Sequence, residues 1–273
     1  MKIALREFLR RRLSPQSYQH VRGWWRCRLY WPSLAASYLV QGRPLVRGFP
    51  SGRDSDLVHE LGAVNVLAPT EMCRVMNRHG SDKGVGGPHN YTPVYSALFG
   101  KLRGQQFRIF ELGLGSNHAG FAANMGRDGV PGASLRGWKE FFPKAEVYGA
   151  DIDRSILFEE ERVMTFYCDQ LDSDAIKQLW AQPALQGGMD VIIEDGMHTF
   201  EGSLSFFDGS IEQLRPGGIY IIEDIAKETL GRWLDVLKTT YPRRFPNHEF
   251  ALVELPHSFK RHHNNLLIIR RSR

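Results

Sequence analysis

The chain has 273 residues, 42% of them hydrophobic, with 14 prolines and a formal net charge of +5. This accommodates one large α/β domain with an N-terminal appendage, or two small domains, and excludes wholesale disorder. Its three cysteines, Cys27, Cys73 and Cys168, form no C-x-x-C pair, which argues against a disulfide framework or a structural zinc site and fits a reducing cytoplasm.

The charge is unevenly placed. Residues 1–53 carry eleven Lys/Arg against one acid, Glu7, so the rest of the chain is mildly acidic. Residues 1–50 read as a basic, helical, aromatic arm, with Ile3, Phe8, Leu9 and Leu13 among arginines, followed by Trp24, Trp25, Tyr30 and Trp31. Three uses fit it: packing on the body or a partner subunit, peripheral contact with an anionic membrane, or nucleic-acid binding. No nucleic-acid motif accompanies the charge, so that use ranks last. Flotation on anionic liposomes with and without residues 1–50 separates the first two. The longest nearly apolar stretch, Trp31–Val40, contains Pro32, Ser33 and Ser37 and falls short of the ~20 residues that span a bilayer. No secretory leader is expected. The predicted location is cytoplasmic, possible contact with the inner membrane face being left to the arm.

Residues 42–56 read as a linker, 57–80 as a helix, and 81–93 as a polar glycine-rich loop before a short helix at 94–102. Residues 51–104 thus form a helical lead-in to a core at 105–273. There the spacing predicts strands at 107–111, 146–150, 163–167, 189–193 and 219–222. Helices are predicted near 117–126 and over 172–182, 201–214 and 227–239. Two late strands, 249–255 and 265–270, close the sheet as an antiparallel pair. This alternation predicts an α/β fold with a doubly wound, mostly parallel sheet.

Ligands of such sheets bind beyond the carboxyl ends of the strands, and here every parallel strand ends in acid: Glu111, Asp151, Asp169, Asp195 and the Glu223-Asp224 pair. Like charges repel along a shared edge, so that edge is expected to take something cationic or rich in hydroxyls. After Glu111 come Gly113 and Gly115, which allow a tight turn and close ligand approach. A third glycine is missing where Asn117 or His118 stands. Asp151 is placed to accept from ribose hydroxyls, and Asp169-Gln170 to meet an adenine edge. A pyrophosphate such as that of NAD would be repelled by Glu111, whereas S-adenosylmethionine (SAM) carries an ammonium and a sulfonium that suit it.

Asp195, Glu223 and Asp224 form a second group, three hard oxygen donors suited to Mg2+ or a similar divalent ion. Helix N-capping is the plainer use of Asp195 or Asp224. His198, in E-D-G-M-H, lies three residues past Asp195 and has the pKa range for a general base.

The segments DKGVGGPHNYTPVYSALF (82–99), FELGLGSN (110–117), PGASLRGWKEFFPKAEVYGADID (131–153), IIEDGMHTF (192–200) and LRPGGIYIIEDI (214–225) together resemble the metal-dependent, SAM-dependent sugar O-methyltransferases. The resemblance covers about residues 70–240 and leaves out the arm. It implies a Rossmann-like class I methyltransferase core, metal binding by Asp195, Glu223 and Asp224, and a catalytic His198 beside Asp195. Some members carry Asp where Glu223 stands. The loop with Asp82, Lys83, His89 and Tyr91 resembles one that covers the cofactor. The segment with Ser134, Leu135 and Trp138 resembles one near cofactor and acceptor. The expected cofactor contacts are Lys83, Tyr91, Glu111, Gly113, Gly115, Asn117, Ser134, Asp151, Asp169 and Gln170. The expected activity is methylation of a sugar hydroxyl on a glycosylated metabolite or surface glycan by a homo-oligomeric enzyme. A phenolic or lipid hydroxyl, an oxidoreductase relative, and a non-catalytic SAM- or glycan-binding module are the alternatives.

Overall fold

The computed structural model describes residues 42–50, 55–121, 123–256 and 263–273. Residues 1–41 of the expected arm lie outside them, as do His257 and His262. In chain order come β1 (Leu45–Phe49), α1 (Asp56–Gly62), α2 (Glu71–His79), α3 (Thr92–Phe99), β2 (Arg108–Leu112), α4 (Ala133–Phe141), β3 (Glu146–Asp151), β4 (Glu159–Glu160) and β5 (Val163–Tyr167). Then follow α5 (Ser173–Trp180), β6 (Met189–Glu194), α6 (Phe200–Ser210), β7 (Leu214–Ile222), α7 (Leu230–Thr239), α8 (Tyr241–Arg244), β8 (His248–Glu254) and β9 (Asn265–Arg271).

One sheet runs in the order β1-β8-β9-β7-β6-β2-β3-β5-β4. The five inner strands β7, β6, β2, β3 and β5 are parallel, and β9, β8, β1 and β4 add to its edges antiparallel. From β2 the chain winds outward through β3 and β5, then returns to the other side of β2 as β6. The order therefore reverses between β2 and β6, where open α/β sheets form their ligand crevice.

Both faces are covered, so the inner strands are apolar on both sides. On one face Ile109, Val147, Ile193 and Ile221 pack with α1–α4 residues such as Leu57, Met76, Tyr95 and Trp138. On the other, Phe110, Ile192 and Ile222 pack with Ile176, Phe206, Trp233 and Tyr241. Among the described residues no helix is long and apolar enough to cross a membrane.

Three local expectations fail. The linker at 42–56 contains β1, whose alternating half-exposed side chains suit an edge strand paired with β8. The single helix expected over 57–80 is two, α1 and α2, separated by a segment holding Pro69, which offers no amide donor and disfavours helix in the residue before it. The described residues of 117–126 form no helix. There Gly120 N bonds His118, Gly126 N bonds Asn124, and Asn124 bonds Phe121 O, local bonds that compete with a helical ladder. The excursion is closed by Met125 N to Ser116 O (2.9 Å) and Gly132 N to Leu114 O (2.7 Å).

Candidate active site

Side chains alternate along a strand, so residues two beyond a core position share its face. Ile109, Ile193 and Ile221 belong to the face covered by α1–α4. Glu111, Asp195 and Glu223 follow two positions later on neighbouring strands. The ladders continue past the strand ends, with Asp195 N to Leu112 O and Glu223 N to Glu194 O, both 2.9 Å, which holds the three acids in line.

A buried ammonium lies among them. Lys83 Nζ is 2.5 Å from Asp195 Oδ2, 2.7 Å from Glu223 Oε2 and 3.5 Å from Glu111 Oε1. Burial alone would lower the lysine pKa; the charges of Asp195, Glu111 and Glu223 outweigh it and raise it well above normal. Burial likewise opposes ionisation of Asp195, yet Lys83 and His198 hold it below the usual carboxylate range. For Glu223 burial prevails, with Asp195 adding to it, and its pKa is raised. Glu111, also pushed up by burial, accepts from Ser134 Oγ (2.6 Å) and Trp138 Nε1 (2.5 Å).

Two tyrosines four residues apart, Tyr91 at the N-cap of α3 and Tyr95 within it, complete this layer. Tyr95 Oη donates to Glu223 Oε1 at 2.5 Å and Tyr91 Oη to Asp224 Oδ1 at 2.7 Å. His89 stacks on Tyr91 with centroids 4.6 Å apart, and its Nδ1 is 3.1 Å from Asn264 Oδ1 and 3.4 Å from Asp224 Oδ1.

On the open side stands His198, its Nε2 3.1 Å from Asp195 Oδ1 and its Nδ1 3.5 Å from Asp224 Oδ2. His198 and Asp224 both adopt left-handed backbone, φ 56° and 51°, a conformation that costs non-glycine residues energy and clusters at functional sites. Burial would lower the imidazole pKa, but the Asp195 hydrogen bond and the charge of Asp224 raise it to about 9. Ligand atoms of Asp195, His198 and Asp224 all lie within 4.8 Å of one another, a spacing and donor set that fit a divalent cation. Both Glu223 oxygens meet Lys83 and Tyr95 instead. Helix capping does not explain Asp195, because Thr199 caps α6.

Across the crevice lies the second group. Gly113 (φ 90°) turns the chain after β2, and a Cβ there would stand 2.0 Å from the Asp195 carbonyl oxygen. Gly115 (φ 81°) is covered by the Met125 side chain. Asp151 Oδ2 accepts from Leu114 N (2.7 Å) and Oδ1 from Asp153 N (2.8 Å); burial nonetheless raises its pKa. Asp169 Oδ1 accepts from Leu171 N. Gln170 donates to Glu194 Oε1 (3.1 Å) and accepts from Met197 N (2.8 Å). Asn117 spans its loop to Arg127 O and Gly129 O.

The structure thus brings Asp195, Glu223, Asp224 and His198 together, and sets Gly113, Gly115, Asp151, Asp169 and Gln170 along the same strand ends. Lys83, Tyr91, Glu111 and Ser134, expected at the cofactor, are engaged with one another's carboxylates or with those at the β6 and β7 ends. Sequence reasoning passed over Tyr95 and the buried Glu194. Four-residue spacing from Tyr91 could have signalled the first.

No protein-family model matches the chain. Residues of the chain are 35% identical over 141 positions to demethylmacrocin O-methyltransferase of Streptomyces fradiae, covering 51% of this chain and 33% of that protein. Mycinamicin VI 2''-O-methyltransferase of Micromonospora griseorubida is 34% identical over 138 residues, 50% of this chain and 32% of its own. The chain spans about a third of the length of these relatives. Among solved structures, the MycE methyltransferase from the mycinamycin biosynthetic pathway, in complex with Mg, SAH and mycinamycin VI, superposes with a TM-score of 0.55 at 27% identity. That match covers 76% of this chain and 55% of MycE. The protein thus shares the Rossmann-like class I methyltransferase fold with MycE, and about half of the chain is similar in sequence to the O-methyltransferases named above.

Proposed function

We propose that the protein transfers a methyl group from SAM to a sugar hydroxyl of a glycosylated natural product, assisted by a divalent cation. The observation that carries this reading is the Asp195–His198–Asp224 group, its ligand atoms within 4.8 Å of one another, set beside the Gly113 turn where the strand order reverses. The relatives named above are O-methyltransferases named for demethylmacrocin and mycinamicin VI, and MycE is in complex with Mg, SAH and mycinamycin VI.

The residues present fit both groups. Asp195 and Asp224 would hold the cation, while Glu223, expected as a third ligand, has its two oxygens on Lys83 and Tyr95. Asp151, Asp169, Gln170 and the Gly113–Asn117 turn would receive the nucleoside and its amino-acid end, while Lys83, Tyr91 and Ser134 bond the acidic cluster of Glu111, Asp195, Glu223 and Asp224. When bound, SAM supplies an electrophilic methyl and the cation a Lewis acid that acidifies the acceptor hydroxyl.

His198 is the base that receives the hydroxyl proton. Asp195 and Asp224 orient its two ring nitrogens, but without a cation they also keep the ring protonated at neutral pH. The ring becomes a competent base only when their negative charge is offset. Two carboxylates and one imidazole therefore make base function conditional on cation occupancy. The fixed strand ends hold these groups without reorganisation, which is how positioning lowers a transfer barrier.

The test is Asp195→Ala, assayed for S-adenosylhomocysteine release with a macrolide bearing a free deoxysugar hydroxyl, with Mg2+ or EDTA. Divalent-dependent turnover should disappear while SAM affinity stays within about twofold, since Asp195 lies outside the nucleoside group. Activity that survives both the substitution and EDTA refutes the metal role. Absence of methyl transfer by the wild-type protein to any glycosylated acceptor refutes the substrate class.

A further inference from the structure

We propose that the D-K-G…H-N-Y-T segment serves as the orienting layer of the carboxylates, with Lys83, Tyr91 and Tyr95 as positioning residues that decide which carboxylate oxygens face a cation. The inference rests on the metal reading above and goes beyond it by assigning these three side chains.

Each oxygen of the cluster can be followed. Lys83 takes Asp195 Oδ2 and Glu223 Oε2. Tyr95 takes Glu223 Oε1, and Tyr91 takes Asp224 Oδ1. The oxygens turned to His198 are then Asp195 Oδ1, at 3.1 Å, and Asp224 Oδ2, at 3.5 Å. Every donor from the segment therefore sits behind the carboxylates, and the two oxygens offered to the open side belong to different strands.

The segment is built to deliver those donors. Its ends are pinned by Tyr91 N and Thr92 N to Lys83 O (3.0 and 3.1 Å) and by His89 N to Asp82 O (3.1 Å). That closure sets Lys83 beside the start of α3, where Tyr91 at the N-cap and Tyr95 one turn later share a face. Asn90 fastens the loop to Val66 O and Pro256 O, and Asn264 donates to Asn90 Oδ1. All three donor residues are at most 1% exposed, so their bonds compete with little water. Tyr91 donates to Asp224 Oδ1 at 2.7 Å, with His89 Nδ1 3.4 Å from the same oxygen. Such outer partners of metal ligands commonly change affinity by about 10–100-fold when removed.

The experiment compares the full-length wild type with Tyr91→Phe and Tyr95→Phe, which remove one hydroxyl each and keep the ring packing. Mn2+ binding is followed by electron paramagnetic resonance and S-adenosylhomocysteine binding by calorimetry. Tyr91→Phe should raise the Mn2+ Kd about tenfold and alter the bound-Mn2+ line shape, with S-adenosylhomocysteine affinity within about twofold. Tyr95→Phe should shift Mn2+ affinity in the same direction. A wild type that binds Mn2+ with both variants unchanged overturns the orienting role alone. Parallel loss of Mn2+ and S-adenosylhomocysteine binding also overturns it, by showing general unfolding of the site. A wild type that binds no Mn2+ overturns the metal reading and this inference with it.

Discussion

Replacing Lys83 with Met removes the charge around which the carboxylates are assembled, with a side chain of similar length and no ammonium. Three carboxylates share that ammonium at 2.5, 2.7 and 3.5 Å, and the Glu111 and Glu223 side chains are each 1% exposed. Removing one partner of a buried ion pair costs about 3–5 kcal/mol, because the remaining charge is stranded. In a domain of this size each kcal/mol moves the melting temperature by about 2–4 °C, so a drop near 10 °C is expected. The loss should depend on pH in a stated direction. Burial already raises the Glu223 pKa with Lys83 present; without the ammonium it rises further. A carboxylate with a raised folded pKa favours the fold below its unfolded value, about 4.3, and loses that contribution as pH climbs through the folded value. The variant's deficit against wild type should therefore be greatest near pH 8 and shrink towards pH 5. Thermal melts by circular dichroism across that range, in EDTA, measure it. Saturating Mg2+ should recover part of the loss by supplying positive charge to the same cluster. A deficit below about 1 kcal/mol, or one that does not vary with pH, would refute the view that Lys83 neutralises a buried acidic cluster.

Two further expectations follow from the same geometry. In metal-free protein His198 should titrate near pH 9 by NMR; its contribution to stability is then present in full below about pH 6.5 and fades as pH rises through 9. Asp195→Asn should pull the midpoint down, and a wild-type midpoint at or below 6.5 would contradict the assigned carboxylate contacts. Gly113→Ala should cost at least about 1 kcal/mol more than Gly115→Ala, although both positions have positive φ. The added carbon at Gly113 meets the Asp195 backbone oxygen, whereas at Gly115 it meets the movable Met125 side chain. Chemical denaturation measures the difference, and equal costs would mean that the β2 turn does not set the position of Asp195.

The parallel core was legible because each inner strand is a short apolar run closed by an acid, a local pattern of one segment at a time. Segments whose structure depends on remote partners were not. Leu45–Phe49 has glycine and proline on either side and only one buried residue; what makes it a strand is β8, two hundred positions later in the chain. Lys83 sits in a polar, glycine-rich stretch where a lysine normally faces water. Its principal partners lie 112 and 140 positions away, so nothing local could mark it as buried.

Part of that arrangement was nonetheless written in strand parity. Ile109-x-Glu111, Ile193-x-Asp195 and Ile221-x-Glu223 repeat one pattern on three strands that prove adjacent, and the period of two sends all three acids to the face that the isoleucines occupy. Three carboxylates at the end of an apolar face cannot remain unpaired, since burying uncompensated charge costs several kcal/mol per group. The pattern therefore requires a cation from the elements covering that face, α1–α4 and their connections. Lys83 is the cation supplied, and Tyr95 adds a hydrogen-bond donor. Asp224, one residue on, falls on the opposite parity, and its backbone there is left-handed. The same strand geometry that buries three acids with a lysine thus leaves Asp195 and Asp224 flanking His198 on the open side, where we propose cation binding and proton removal.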